Sequence, residues 1–191
     1  MTVTTGPVMG EPLPIELANA TYAVRGHLQD GLETTEQLAF WLEQVRSRLP
    51  LPPSDADLRD VNQQDLATAR ELRDAIRALA GAAVDRTAPP QPALDALNGC
   101  VRTAPSWREL RWADAPSAEA RNDARPITAA LADIAELAVD LFAGPALADL
   151  RACHAPGCVL FFLKDHPRRE WCSAGCGNRA RVARHYQRTK A

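Results

Sequence analysis

Four cysteines late in the chain carry its chemistry. They fall as Cys153-x4-Cys158 and Cys172-x3-Cys176, with 13 residues between the pairs. Two such pairs supply the thiolates of a tetrahedral structural zinc site, because zinc takes four sulfurs with no geometric demand from its filled d shell. The opening residues, Met1 to Glu11, hold neither a basic cluster nor an apolar run of leader length, so a cytoplasmic location is expected. In that reducing setting, clustered cysteines point to a metal before a disulfide. The expectation is one structural Zn2+ on Cys153, Cys158, Cys172 and Cys176, a closed site with no position left for a catalytic water. His154 and His166 lie near enough in sequence to serve as substitute ligands. Cys100 stands apart and is expected to fill space beside Leu97.

The elements that must aim these sulfurs are legible around them. Pro156-Gly157 suits a tight knuckle between the first two cysteines. Val159–Leu163 is apolar and strand-like, Asp165-His166-Pro167 is a turn signal, and Arg169-Glu170-Trp171 is expected to return as the partner strand. Ser173 is placed to cap a helix whose first turn holds Cys176. Knuckle, hairpin and helix in this order are the layout of a treble-clef-like zinc finger. Trp171 is expected to pack beneath the hairpin and shield the sulfurs, since so small a unit has little other core.

Charge divides the chain at the same place. Residues 151–191 hold 9 of the 22 Lys and Arg but only 2 of the 24 Asp and Glu, which gives them +7 and leaves the preceding 150 residues at −9. With a period of 3.6, Arg181, Arg184, His185 and Arg188 form one helical stripe, with Val182 and Tyr186 beside it. A phosphate backbone suits such a stripe. A solvated charged helix, or one docked on the acidic body of its own chain or another copy, is the competing reading.

Met1–Leu150 reads as helix after helix. A short amphipathic stretch begins at Pro14 and ends in turns around Gly26 and Gly31. A second helix runs from a cap at Thr34 or Thr35 to Leu49, with Leu38, Trp41, Leu42 and Val45 on one face, and Pro50, Pro52 and Pro53 stop it. Ser54 is a cap with Asp57 three residues on, and Leu72, Ile76, Leu79 and Ala83 mark the clearest helix of the body. A shorter helix covers Leu94–Cys100, Trp107–Trp112 stays open between helix and extended chain, and a long helix follows Pro126 to Gly144-Pro145. These apolar stripes read as core packing. Asp133, Glu136, Asp140 and Asp149 interrupt the longest apolar stretch, so no transmembrane helix is expected. No phosphate loop, H-E-x-x-H or G-x-S-x-G occurs, and His27 is placed in a surface loop. The expected fold is mainly α: a helical bundle over 1–150 followed by the small finger, β-hairpin plus helix, over 151–191.

Cys176-Gly177-Asn178-Arg179, preceded by Trp171-Cys172-Ser173, resembles the signature of the CGNR zinc-finger family, whose members carry this finger behind a helical ABATE domain. Ile15-Glu16-Leu17-Ala18-Asn19-Ala20-Thr21 is similar to the opening motif of that domain, and Ala69–Ile76 to its central helix. The resemblance implies a stress-associated bacterial transcription regulator with a DNA-binding finger. In the motif, Gly177 lets the backbone pass close to the zinc or a thiolate, while Asn178 and Arg179 either brace the hairpin or reach a base or phosphate.

The leading functional reading is a regulator whose helical body senses an unidentified small molecule or partner. Its finger would bind double-stranded DNA through Arg168, Arg169, Asn178, Arg179, Arg181, Arg184 and Arg188. One finger with so few contacts calls for a second copy, as a homodimer, for tight specific binding. The alternative is a zinc-stabilised interaction or dimerisation module that binds no nucleic acid. An enzyme is not expected, because a closed site of four cysteines leaves no place for substrate.

Overall fold

In the computed structural model the described residues are 5–190; Met1–Thr4 of the expected leaderless opening, and Ala191 at the end of the expected finger, lie outside them. The chain begins with the short helix α1 (Leu13–Ala18) and then forms a hairpin, β1 (Thr21–Val24) with β2 (His27–Asp30). The expected loop around Gly26 is therefore a two-residue hairpin turn. Arg25 and Gly26 both take positive φ, the combination whose twist matches the flanking strands. His27, read as a loop residue, is an exposed strand residue.

Next come α2 (Thr35–Val45), α3 (Asp55–Arg59), α4 (Gln63–Asp85) and α5 (Gln91–Thr103). Thr34, Ser54 and Asn62 cap the first three, each in a reciprocal box with Gln37, Asp57 and Asp65. Such a box satisfies two amide groups that a helix start leaves free. α2 stops four residues before Leu49, and a single 3-10 turn over Arg46–Arg48 carries the chain to the prolines. A hairpin follows, β3 (Trp107–Trp112) with β4 (Pro116–Arg121), so Trp107–Trp112 is extended chain. Helix α6 (Pro126–Ala143) buries ten of its 18 residues, an unbroken run from Ala129 to Ala135 among them.

The main core is the contact of α2, α4, α5 and α6 around Trp41, Leu42, Leu72, Ile76, Leu131 and Ile134, all essentially inaccessible to solvent. Each of these side chains contributes roughly 1.5–3 kcal/mol by leaving water, which is what holds the bundle. Cys100 lies in this core beside Leu97, as expected, and its thiol donates to the Leu131 carbonyl at 3.7 Å. Among the described residues no helix is long and apolar enough to cross a membrane.

The last part contains β5 (Leu150–Ala152), β6 (Phe161–Leu163) and α7 (Ala174–Lys190). β6 pairs with β5, Leu150 opposite Leu163 and Ala152 opposite Phe161, and not with Arg169–Trp171 as expected from the sequence. The physical reason is the knuckle itself. Because it sits between β5 and β6 it acts as their hairpin loop, and the ladder continues past both strand ends, from the Cys153 N–H to the Leu160 carbonyl and from the Lys164 N–H to the Asp149 carbonyl. β5 also runs across residues 150 and 151, where the sequence divides body from finger.

Candidate metal centre

The knuckle is a reverse turn in which the Cys158 N–H donates to the Ala155 carbonyl at 2.9 Å, with Gly157 at φ +71°. That φ belongs to the third position of a type II turn and excludes most side chains. The turn brings the Cys153 and Cys158 sulfurs to one side of the hairpin. From the opposite side Ser173 caps α7, its Oγ accepting from the Cys176 N–H at 3.2 Å, which sets Cys176 on the helix's first turn and Cys172 immediately before the cap. All four Sγ atoms lie within 4.8 Å of one another. Cys158 to Cys172 is 3.8 Å and Cys172 to Cys176 is 3.4 Å. A tetrahedron of Zn–S bonds of about 2.3 Å places its sulfurs about 3.8 Å apart, so the donor set fits one zinc ion. Neither His154 nor His166 belongs to the cluster. The His166 Nδ1 instead accepts from the Arg168 N–H at 3.1 Å.

Crowding of the sulfurs governs their protonation. Thiols of Cys158 and Cys172 that donate to Cys153 hold it well below the ordinary thiol range, while the same contacts push Cys158 up to about 11 and Cys172 higher still. Full ionisation of the group therefore requires a cation among the sulfurs. Arg179 lies just outside, its Nη2 donating to the Cys176 Sγ at 2.9 Å. A guanidinium there offsets part of the net negative charge that four thiolates leave on a bound Zn2+. Trp171 packs into the finger as expected, and Gly177 allows it: a Cβ on Gly177 would stand 3.1 Å from the Trp171 ring. Close approach of a tryptophan, rather than of the metal, is what this glycine serves.

Several side chains that sequence reasoning passed over fix the hairpin to the body. The outward edge of β6 is paired like a strand by two side chains. Asn19 donates to the Phe161 carbonyl and accepts from its N–H, both at 2.9 Å, and the Glu11 carboxylate accepts from the Leu163 N–H at 2.9 Å. Arg77 of α4 donates to the Val159 carbonyl at 3.2 Å and stacks over the Phe161 ring. Asn19 and Glu11 flank the apolar α1 in sequence and are buried in the fold, where a polar side chain needs a partner.

The expected nucleic-acid residues separate into two groups. Arg169 turns inward: it pairs with Glu11, donates to the Cys172 and Leu163 carbonyls at 3.2 and 3.0 Å, and lies over the Phe162 ring. Arg168, Arg181, Arg184 and Arg188 instead line one open groove of about 430 Å³ together with Trp171, His185 and Glu170. Asn178 is exposed beside it and accepts from Arg181.

Residues 11–145 match the ABATE family, described as "Putative stress-induced transcription regulator", and residues 150–189 match the CGNR zinc finger. A search of curated proteins gave no match. The first match spans most of the chain and the second encloses all four clustered cysteines, so the protein belongs to the ABATE family and carries a CGNR zinc finger.

Proposed function

We propose that Cys153, Cys158, Cys172 and Cys176 hold one structural zinc and that the protein binds double-stranded DNA along the groove between the loop before Trp171 and α7. The observation that carries this reading is the convergence of Arg168, Arg181, Arg184 and Arg188 on one exposed surface where Glu170 is the sole acidic lining residue. Among the described residues none of these four arginines forms a salt bridge. From Arg181 to Arg188 the helix rises about 10 Å, equal to about three base-pair rises of roughly 3.4 Å along a duplex axis. Zinc supports this surface by tying the loop to the helix, so that Arg168 faces the three helical arginines. Arg169 and Arg179 belong to the frame: one holds the finger to the body and the other balances a thiolate. The helical body, residues 1–150, is the unit that would receive a signal, and residues 151–191 the unit that contacts DNA.

The test is fluorescence anisotropy of the zinc-loaded protein on duplex DNA across a range of salt. Four phosphate contacts give log K falling against log salt with a slope of about −3.6. Absence of any salt-dependent association with duplex would overturn the reading. Association with acidic protein but not with DNA would replace it with an interaction module.

A further inference from the structure

The four clustered sulfurs meet at one point but differ in what covers them. Cys153, Cys172 and Cys176 are 3 to 6% exposed, whereas Cys158 is only partly buried. Cys158 ends the knuckle. The two residues before it, Pro156 and Gly157, are exposed, and the second has no side chain to lay over the sulfur. A small neutral molecule arriving from solution therefore reaches Cys158 first. Cys176 is withdrawn in a second way, because the Arg179 guanidinium that donates to its sulfur draws off electron density that a nucleophile needs.

Contacts that need no metal hold Cys158 and Cys172 in place. The Cys158 N–H is tied to the Ala155 carbonyl, and the next carbonyl, of Val159, accepts from Arg77 of α4 at 3.2 Å. The Cys172 carbonyl accepts from Arg169, which pairs with the buried Glu11 carboxylate. The two sulfurs are 3.8 Å apart, so closing them to a disulfide bond of about 2.05 Å takes a combined movement of about 1.8 Å. Cys176 is closer to Cys172, at 3.4 Å, yet both of those sulfurs are buried. Cys153, the other neighbour of Cys158, accepts from the N–H groups of Ala155 and Cys172, which weaken it as a nucleophile. What acts most on Cys172 is its burial and the other three sulfurs, which leaves it the stronger one.

We propose that Cys158 is an oxidation site for hydrogen peroxide and that Cys172 resolves it, which makes the metal centre a thiol–disulfide switch. In the first step the Cys158 thiolate attacks one peroxide oxygen: an S–O bond forms, the O–O bond breaks, and hydroxide leaves with its electron pair. In the second the Cys172 thiolate attacks the Cys158 sulfur: the S–S bond forms, the S–O bond breaks, and a second hydroxide leaves. Two thiolates lose two electrons, the peroxide gains them, and two protons from solvent turn both hydroxides into water. Cys153 and Cys176 are then the thiolates left in the cluster, too few for a closed zinc site. A dithiol reductant reverses the change. The inference rests on the zinc assignment and is independent of the DNA reading.

The test treats the zinc-loaded full chain, its metal content measured first, with substoichiometric hydrogen peroxide. Released zinc is read with a chromophoric chelator and the cysteines are mapped by mass spectrometry. One zinc should appear per peroxide consumed, the first disulfide should join Cys158 to Cys172, and a sulfenic-acid trap should label Cys158. Cys100, buried in the main core, should stay a thiol. Cys158→His keeps a ligand that zinc accepts and should release its metal roughly tenfold more slowly than the wild type, while Cys153→His should release it at close to the wild-type rate. Where Cys158→His loads no zinc, the wild-type mapping decides alone. A chain that binds no zinc overturns the metal assignment and the switch together. A chain that holds one zinc and keeps it under peroxide, forms a different disulfide first, or is trapped first at another cysteine overturns the switch alone, as does equal protection by both histidine variants.

Discussion

At the scale of single residues, arginines of equal charge divide by what they face. Arg184→Ala should reduce the salt slope of DNA binding by about one and weaken all duplexes alike, because each phosphate contact releases roughly one counterion. Arg169→Met should leave that slope unchanged and lower unfolding stability by about 2–3 kcal/mol, since the buried Glu11 carboxylate loses its partner. Anisotropy titrations at several salt concentrations and urea unfolding distinguish the two outcomes. Asp133 provides a second residue-level test. It is buried on α6 with one carboxylate oxygen unpartnered, and burial, aided by the nearby Glu136, pushes its pKa up to about 6. A carboxyl group whose folded pKa lies above the ordinary value near 4 favours the fold when protonated, so stability falls as pH rises from about 4 to 6. Asp133→Asn should stabilise the protein by on the order of 2 kcal/mol at pH 8 and leave it unchanged at pH 4, read from unfolding curves at both.

At the scale of elements, β6 is the hinge of the arrangement. One edge pairs with β5 and the other is satisfied by side chains of the body, so it has no free edge to fray. Asn19→Ala removes the partner of both the Phe161 N–H and its carbonyl. The expected cost is about 2–4 kcal/mol of unfolding free energy, one desolvation penalty for each orphaned group. Within the finger, Gly177→Val should force Trp171 off its seat, and zinc loss to a chelator should accelerate although every sulfur ligand is intact.

For the whole molecule, the metal and the body are coupled through packing. Met9 and Tyr22 pack against the cysteine cluster, and Leu150 and Phe161 share a buried cluster with Ile15, Ala80 and Leu141. Chelation should therefore remove hydrogen-exchange protection from residues 150–190 and also from residues 9–24 that lean on them. The centre of α4 and α6 should stay protected, because its core of Leu72, Ile76, Leu131 and Ile134 needs no metal. Loss of protection throughout would show that the chain unfolds as one unit.

The sequence by itself determined whatever depends on local spacing. Cysteine intervals identified the sulfur cluster, the helix caps at Ser54 and Ser173 were legible from residue type, and the apolar period of α4 named Leu72, Ile76 and Leu79. The same short-range rules placed three of the groove's four arginines on one surface, since Arg181, Arg184 and Arg188 recur along one helix. Tertiary structure decided what depends on partners distant in the chain. β6 could pair before or after itself by sequence, and the choice of β5 was made by the knuckle's closure together with Asn19, 142 residues away from Phe161. Arg168 and Arg169 are neighbours of one charge, and only the position of Glu11 sends one inward and leaves the other at the groove. Hydrophobic period and turn chemistry act over a few residues, whereas the desolvation of a buried carboxylate selects its partner in space.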